Sequence, residues 1–258
     1  EFYKKYDEVD GFAIYGNDRY IYQYISEKYP EDEIKFDISQ IKLVTLDIET
    51  TAEHGFPDVE SAQEEILAIT IQDYTTKDII TWGVKPFINK QKNVTYHYCP
   101  SEQELLSHFI NYWMQDVPDV VTGWNVENFD IPYIINRLIN LFDQETALRL
   151  SPHRKIDFKY QNEQEAEQRA VSAWQERGQS RGLRRATEIL GVNILDYLAL
   201  YRKFTYTQQE SYSLDNICSV ELGEKKLDYS EYDGLMSLYK NDYQKFIEYN
   251  IRDVELVD

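Results

Sequence analysis

Three short groups of acidic residues in this chain have the types and spacing to do chemistry. Asp47-Ile48-Glu49 closes the run KLVTLDIE, Lys42–Glu49. On a strand, residues two apart share a face, so both carboxylates project together. Like charges on one face repel, and a hard divalent cation that takes oxygen ligands, Mg²⁺ or Mn²⁺, relieves the conflict. Taken alone, D-x-E is also an ordinary strand end reaching solvent. The second group, Asn125 to Asp130 (NVENFD), lies between the apolar run DVVTG and a helix opened by Pro132. Taken alone, Asp130 there reads as a residue at or near a helix N-cap rather than as a ligand. The third is Tyr249-Asn-Ile-Arg-Asp253. On a helix, residues four apart lie one above the other on one face. By itself that pair also fits a surface Asp beside a half-buried Tyr.

These residues need elements to position them. Lys42–Glu49 reads as a central strand, and Ile66–Gln72 and Asp78–Val84 as two more in a meander. Ser101 and Glu104 form a capping-box pattern ahead of LLSHFINYW, whose apolar spacing is helical. Asp119–Gly123 is a short apolar strand, Ile131–Phe142 a helix with Pro132 in its first turn, and Asn193–Leu195 a strand. Helices follow around 196–203, 213–219 and 242–257. In residues 1–40 the alternating runs Phe12–Tyr15, Tyr20–Ile25 and Glu33–Asp37, parted by Gly16–Asp18 and Pro30, predict short strands. The expected fold is α/β, a mixed sheet flanked by helices over 41–258, with a small β-rich appendage at 1–40.

The chain has 258 residues, 46 acidic against 27 basic, and a formal net charge of −19. Hydrophobic residues make up 42%, too many for a disordered acidic chain and enough for a sizeable core. The two cysteines, Cys99 and Cys218, form no C-x-x-C, so neither a disulfide framework nor a zinc knuckle is supported. That fits a reducing, intracellular, cytoplasmic setting. No apolar run approaches a membrane span and no signal peptide opens the chain. Glu1 in place of Met fits a piece of a longer chain, a processed product, or an exchanged or trimmed terminus. The acidity argues against gripping nucleic acid by bulk charge, but not against carboxylates that hold cations. Of four consecutive blocks only residues 152–190 are net positive, at +2.

In order and spacing, the three motifs together resemble the 3′→5′ proofreading exonuclease of family B DNA polymerases. That domain is a DEDD nuclease with a ribonuclease H-like fold, and the Tyr of the third motif marks the DEDDy branch. LDIETT, VTGWNVENFDIPYIINR, NILDYLALYRKF, SYSLDNI and YNIRDVELVD extend the resemblance to T4-type bacteriophage members over nearly the whole chain outside 155–190. The resemblance implies that Asp47, Glu49, Asp130 and Asp253 hold two divalent cations, Mg²⁺ or Mn²⁺, about 4 Å apart around the scissile phosphate. Asp47 would bridge them, Glu49 and Asp253 would serve the nucleophile-side ion, and Asp130 would reach the other through water. Tyr249 would position the attacking water. It also implies substrate contacts from Asn125 and Phe129, from Phe56 as an aromatic stacked on unpaired bases, and from Lys226 of LGEKK near the phosphate. Asn125 is otherwise a turn former, Phe56 a loop aromatic folded onto the core, and Lys226 a solvated loop residue. The implied partners are a single-stranded DNA 3′ end and the remaining polymerase domains or a subunit, with no membrane. A phage-encoded chain would work in the host-cell cytoplasm.

Two features depart from the family pattern. T4-type members carry a strand-separating β-hairpin between S-P and I-L-D-Y. Here Lys155–Gly191 reads instead as a charged, helix-prone insertion, and Arg181, Arg184 and Arg185 are expected beside the DNA path. No family B palm motif follows the third exonuclease motif. Asp233-Gly-Leu-Met-Ser-Leu-Tyr239 only imitates one: its spacing is a residue too long and it lacks the Pro. The expectation is therefore a nuclease that does not polymerise. The rivals are a catalytically silent DNA-binding or polymerase-docking module and an RNA-trimming nuclease of the same superfamily.

Overall fold

The computed structural model describes residues 20–29, 37–53, 55–160 and 185–258. The chain divides into two compact units, Glu1–Ile38 and Ser39–Asp258.

In the first unit Tyr20–Lys28 is a helix, α1, which corrects the strand expected at Tyr20–Ile25. Tyr20, Tyr22 and Tyr24 alternate as on a strand, but Tyr22 and Tyr24 are exposed, so no buried face rewards that alternation. Helical spacing lets the Gln23 amide donate to Glu27 at 2.8 Å. Lys28 stands at the favourable C-terminal end of the helix dipole. Of the other two expected strands, Phe12–Tyr15 and all of Glu33–Asp37 but Asp37 lie outside the described residues.

The second unit is built on a six-stranded sheet: β1 Leu43–Thr50, β2 Ile66–Asp73, β3 Ile79–Gly83, β4 Val94–Tyr98, β5 Val120–Gly123 and β8 Asn193–Asp196. Their order is β4-β3-β2-β1-β5-β8. β2 is antiparallel to β1 and β3, while the pairs β3–β4, β1–β5 and β5–β8 are parallel. β1 is central because its alternation gives both faces something to bury. Val44, Leu46 and Ile48 face one side, where they join Ile69, Ile71 and Trp82 under α2 (Glu102–Gln115) and α3 (Asp130–Leu141). Each large side chain fully buried there contributes about 1.5–3 kcal/mol. The Ser101 hydroxyl caps α2 by accepting from the Glu104 amide, as the capping-box pattern predicts.

Thr45, Asp47 and Glu49 take the other face of β1. It is covered by α8 (Tyr243–Val257), whose Phe246, Ile247, Ile251 and Val254 pack with Ala68, Ile79 and Val94. Glu49 pairs with Ala68 but Thr50 with Ile66, so Leu67 is the extra residue of a β-bulge beside the acidic pair. Three smaller helices complete the domain elements that bear on the site: α5 (Tyr197–Phe204), α6 (Leu214–Glu221) and α7 (Leu235–Asn241). A short helix, α4 (Gln144–Leu148), follows α3. The palm-like decoy proves to be α7, packed through Leu238 against α8's cluster.

The expectation of a helix-prone stretch over Lys155–Gly191 is corrected at both ends. β6 (Ile156–Tyr160) and β7 (Arg185–Ile189) form an antiparallel pair, Tyr160 opposite Arg185 and Ile156 opposite Ile189. The polar, charged centre of the segment dominates its composition, whereas Thr187 and Ile189 at its margin are buried and set the local structure. Residues 161–184, including Arg181 and Arg184, lie outside the described residues.

Candidate active site

Asp47 and Glu49 project from β1 toward α8, where Tyr249 and Asp253 sit one turn apart. One carboxylate oxygen from each of Asp47, Glu49 and Asp253 lies within 4.8 Å of the others. Glu49, Tyr249 and Asp253 are buried. That overturns the readings of Glu49 as a solvent-facing strand end and of Asp253 as a surface residue. One Asp253 oxygen, Oδ1, is buried and has no hydrogen-bond partner among the described residues. A buried polar atom left unpaired costs about 1–3 kcal/mol, more when charged, and a cation would satisfy it. The donors are all carboxylate oxygens, the set a hard divalent ion prefers.

Asp130 arrives by a different route. β5 pairs with β1 only from Leu43 to Thr45, so the β1 amides beyond it have no strand partner on that side. The Asp130 carboxylate fills one of these places, accepting from the Ile48 amide at 3.0 Å. Asp130 is thus not the cap of α3. Phe129 holds that position and no side chain caps it. The close approach at the end of β5 also explains Gly123, where a Cβ would stand 2.5 Å from the Leu46 carbonyl oxygen.

The electrostatics follow from four carboxylates gathered in one site, Glu49, Asp130 and Asp253 buried and Asp47 half-buried. Burial, then repulsion by Asp253, pushes Glu49 up to about 8. Burial pushes Asp130 up to about 7, against the Ile48 hydrogen bond that favours its anion. Asp47 is raised well above the ordinary range by burial and by Asp130, Asp253 and Glu49. Asp253 is also raised by burial, although Lys226 opposes that shift. The Lys226 ammonium donates to Asp253 at 2.5 Å and to the Tyr249 hydroxyl at 2.9 Å. Burial alone would discharge it, but Asp253, Tyr249 and Asp47 together hold its pKa above the ordinary value. The Lys226 loop is itself held by Asp215, which accepts the Lys226 amide at 2.9 Å. Burial and Asp253 keep the Tyr249 hydroxyl neutral well past its ordinary range.

The model of the "DNA polymerase family B, exonuclease domain" matches residues 18–217. The chain belongs to that family. Its curated relatives include the DNA-directed DNA polymerase of Escherichia phage RB69, 35% identical over 97% of this chain and 28% of the relative. That of Enterobacteria phage T4 is 31% identical over 98% of this chain and 29% of the relative. The DNA polymerase catalytic subunit of Alcelaphine herpesvirus 1 is 26% identical over 86% and 21%. The chain therefore spans less than a third of the length of these polymerases. Within the described residues of this exonuclease domain no helix is long and apolar enough to cross a membrane.

The remaining site residues predicted for the exonuclease domain are not members of the carboxylate cluster. Phe56 is 87% exposed and is not folded onto the core. Its ring lies 5.6 Å from that of Phe129, which lies 5.4 Å from Tyr133, an aromatic ladder from solvent into α3. The Phe56 loop is tied to α3 by Tyr133, Asn136, Arg137 and Asn140, which all donate to carbonyls of residues 59–64. Asn125 adopts a left-handed turn, φ 69°, and its side-chain oxygen accepts from the Asn128 amide at 3.1 Å. Arg185 lies on β7.

Sequence reasoning missed two supports. Buried Asp196 accepts from the Asn125 and Glu127 amides and from Ala199 at the start of α5, pinning the second motif's turn to a helix. Asp196 was visible as a lone acid between the apolar β8 and α5. Asn250, fully buried on α8, donates to Asp47 Oδ2 at 2.6 Å. Its signal was a polar residue on the helix face that also carries Ile247, Val254 and Asp253.

Proposed function

We propose that this domain is a metal-dependent 3′→5′ exonuclease that removes nucleotides from single-stranded or mispaired DNA 3′ ends, the proofreading step of a family B polymerase. The observation that carries the reading is the convergence of the Asp47, Glu49 and Asp253 oxygens, with one Asp253 oxygen unpaired and a single ammonium to balance them among the described residues.

Asp47, Glu49, Asp130 and Asp253 would hold two divalent cations, Mg²⁺ or Mn²⁺. Bound there, the ions would supply Lewis-acid stabilisation of the phosphate's developing charge and would acidify a water. Every other role falls to the chain. Tyr249, neutral and oriented by Lys226, would hold the attacking water by its hydroxyl. Lys226 would offset anionic charge at the phosphate. Phe56 and Phe129 would stack on the unpaired terminal bases, a contact that does not depend on base identity. Asn125, in the turn pinned by Asp196, would contact the strand behind them. The parent chain would be a DNA-directed DNA polymerase, with its other domains or a subunit as partner and a reducing, intracellular site of action. The domain would run over 41–258, preceded by a separate N-terminal segment and interrupted by the insertion at about 155–190. Arg181, Arg184 and Arg185 would contact DNA. Charge reversal at all three that leaves single-strand affinity and its salt slope unchanged removes that last element.

The test is digestion of a 5′-labelled single-stranded oligonucleotide with Mg²⁺ or Mn²⁺, a chelator control and Asp47→Ala alongside. The expected result is a metal-dependent ladder from the 3′ end that disappears in Asp47→Ala. Equal activity in the variant overturns the metal-site reading at Asp47, and no activity with either metal overturns it in favour of a silent binding module. Preference for a mismatched over a matched duplex end checks proofreading.

A further inference from the structure

The strand register places Asp47 of β1 opposite Thr70 of β2, and Thr70 opposite Thr81 of β3. Opposed residues of antiparallel strands share a face, so these three form a polar row across a face whose neighbours are Ala68 and Ile79. Thr70 and Thr81 are fully buried, as is Asn250, which α8 lays on the row. The Thr70 hydroxyl donates to Asn250 Oδ1, and the two threonine hydroxyls lie 2.9 Å apart. Asn250 Nδ2 donates to Asp47 Oδ2.

Counting protons fixes the direction of this chain. A threonine hydroxyl has one proton to give. Thr70 spends its proton on Asn250, so Thr81 must supply the proton between the threonines. The donors run from Thr81 through Thr70 to Asn250, and Asp47 Oδ2 is the final acceptor. With a cation bound, Asp47 would be a carboxylate, and turning the amide over would set its carbonyl oxygen against the Asp47 oxygen. The amide nitrogen therefore faces Asp47.

We propose that Asn250, locked by Thr70 and Thr81, is a positioning residue for Asp47. It holds Oδ2 as a hydrogen-bond acceptor and so sets the rotation of the carboxylate. The other oxygen and the free lone pairs are thereby presented toward Glu49 and Asp253. Ligating groups are commonly oriented by such outer partners, whose loss costs about 10–100-fold in metal affinity. A purely structural polar residue on this face would need no donor aimed at Asp47, and an apolar side chain would pack as well against Ile247 and Val254. The inference rests on the metal-dependent reading above.

The test is Mn²⁺ binding to the whole chain without DNA, followed by electron paramagnetic resonance of the free ion. Wild type should bind, and Asn250→Leu, close in shape but without a donor, should bind about 10–100-fold more weakly. Thr70→Val, which frees the amide to turn, should weaken binding by a smaller factor. Affinity for a single-stranded oligonucleotide in chelator should be the same in all three proteins. A folded Asn250→Leu that binds Mn²⁺ as wild type does overturns the proposal. If thermal melting shows that Asn250→Leu does not fold, Thr70→Val decides, and unchanged Mn²⁺ affinity there overturns the proposal equally. A wild-type protein that binds no Mn²⁺ fails differently: it removes the metal reading, and the proposal with it.

Discussion

Glu102 and Arg137 are buried between α2 and α3 with their charges matched, whereas Glu49, Asp130 and Asp253 are buried, beside half-buried Asp47, with theirs in excess. Arg137 meets Glu102 as a two-pronged pair at 2.7 and 2.6 Å, and its remaining nitrogen donates to the Ala62 and Gln63 carbonyls. Glu102 also accepts the Ile66 amide at 2.7 Å. Across the sheet, Asp47, Glu49, Asp130 and Asp253 share one ammonium among the described residues, Lys226, and Asp253 keeps an oxygen with no hydrogen-bond partner there. The first arrangement is complete and serves the scaffold, since it ties the Phe56 loop to the helix that Asp130 begins. The second is incomplete without a counter-ion. Burial does not separate the two. What separates them is whether the protein supplies its own neutralisation.

The comparison breaks most visibly at Arg137. Arg137→Met should destabilise the domain by about 3–5 kcal/mol, because Glu102 is left charged and buried. The double variant Glu102→Leu/Arg137→Met should recover most of that loss in urea melts. A cost below about 1 kcal/mol for Arg137→Met would show the pair to be dispensable.

The next largest effect concerns pH. Glu49 titrates near 8 in the fold against an ordinary 4.5, and Asp130 near 7 against 3.8. Both hold protons more tightly folded than unfolded, so the stability they lend is full below about 4 and lost as pH rises through the folded values. Chelated protein should therefore lose on the order of 2 kcal/mol between pH 4.5 and 8 once their mutual coupling is discounted. With saturating Mg²⁺ the loss should vanish. A melting temperature equally flat in both conditions would mean that the carboxylates do not compete for space in the metal-free fold.

The smallest effect has the opposite sign to most core substitutions. Above about pH 8, where Glu49 is ionised, Glu49→Gln should raise the stability of chelated protein by about 1 kcal/mol, near 2–4 °C, because it removes repulsion and breaks no ion pair. The same change at Glu102 should lower stability. Parallel calorimetry of the two variants in chelator sharpens the contrast, and a destabilised Glu49→Gln would erase it.

How much of this was legible in the sequence varied with the range of the interaction. Asp47 with Glu49, and Tyr249 with Asp253, were readable because strand and helix periods alone bring them to one face. The Ser101 cap was readable for the same reason. Asp130 was recognisable only as one member of a motif set. Its bond to Ile48 depends on β5 ending short of β1, a matter of register between strands 70 residues apart in the chain. Asn250 was hidden because its partners, Thr70 and Asp47, meet it only through the packing of α8 on the sheet, some 180 to 203 residues away in the chain. The helix at Tyr20–Lys28 and the β6–β7 pair were misread where a local pattern or a biased composition outweighed burial. β4 escaped notice because Val94 is its one buried residue and β3 supplies the pairing.

The Asp130–Ile48 bond also bears on which sequences can drift and still work. Its donor belongs to the main chain, so the identity of residue 48 does not matter to Asp130. Its side chain points away, into the cluster of Val44 and Leu46. The middle letter of D-x-E can therefore wander among apolar residues that fit that cluster without disturbing the acids on either side. Proline alone is shut out, since it has no N–H to give. A motif written with a blank thus has a constraint in that blank, imposed by the backbone and invisible in the letters themselves.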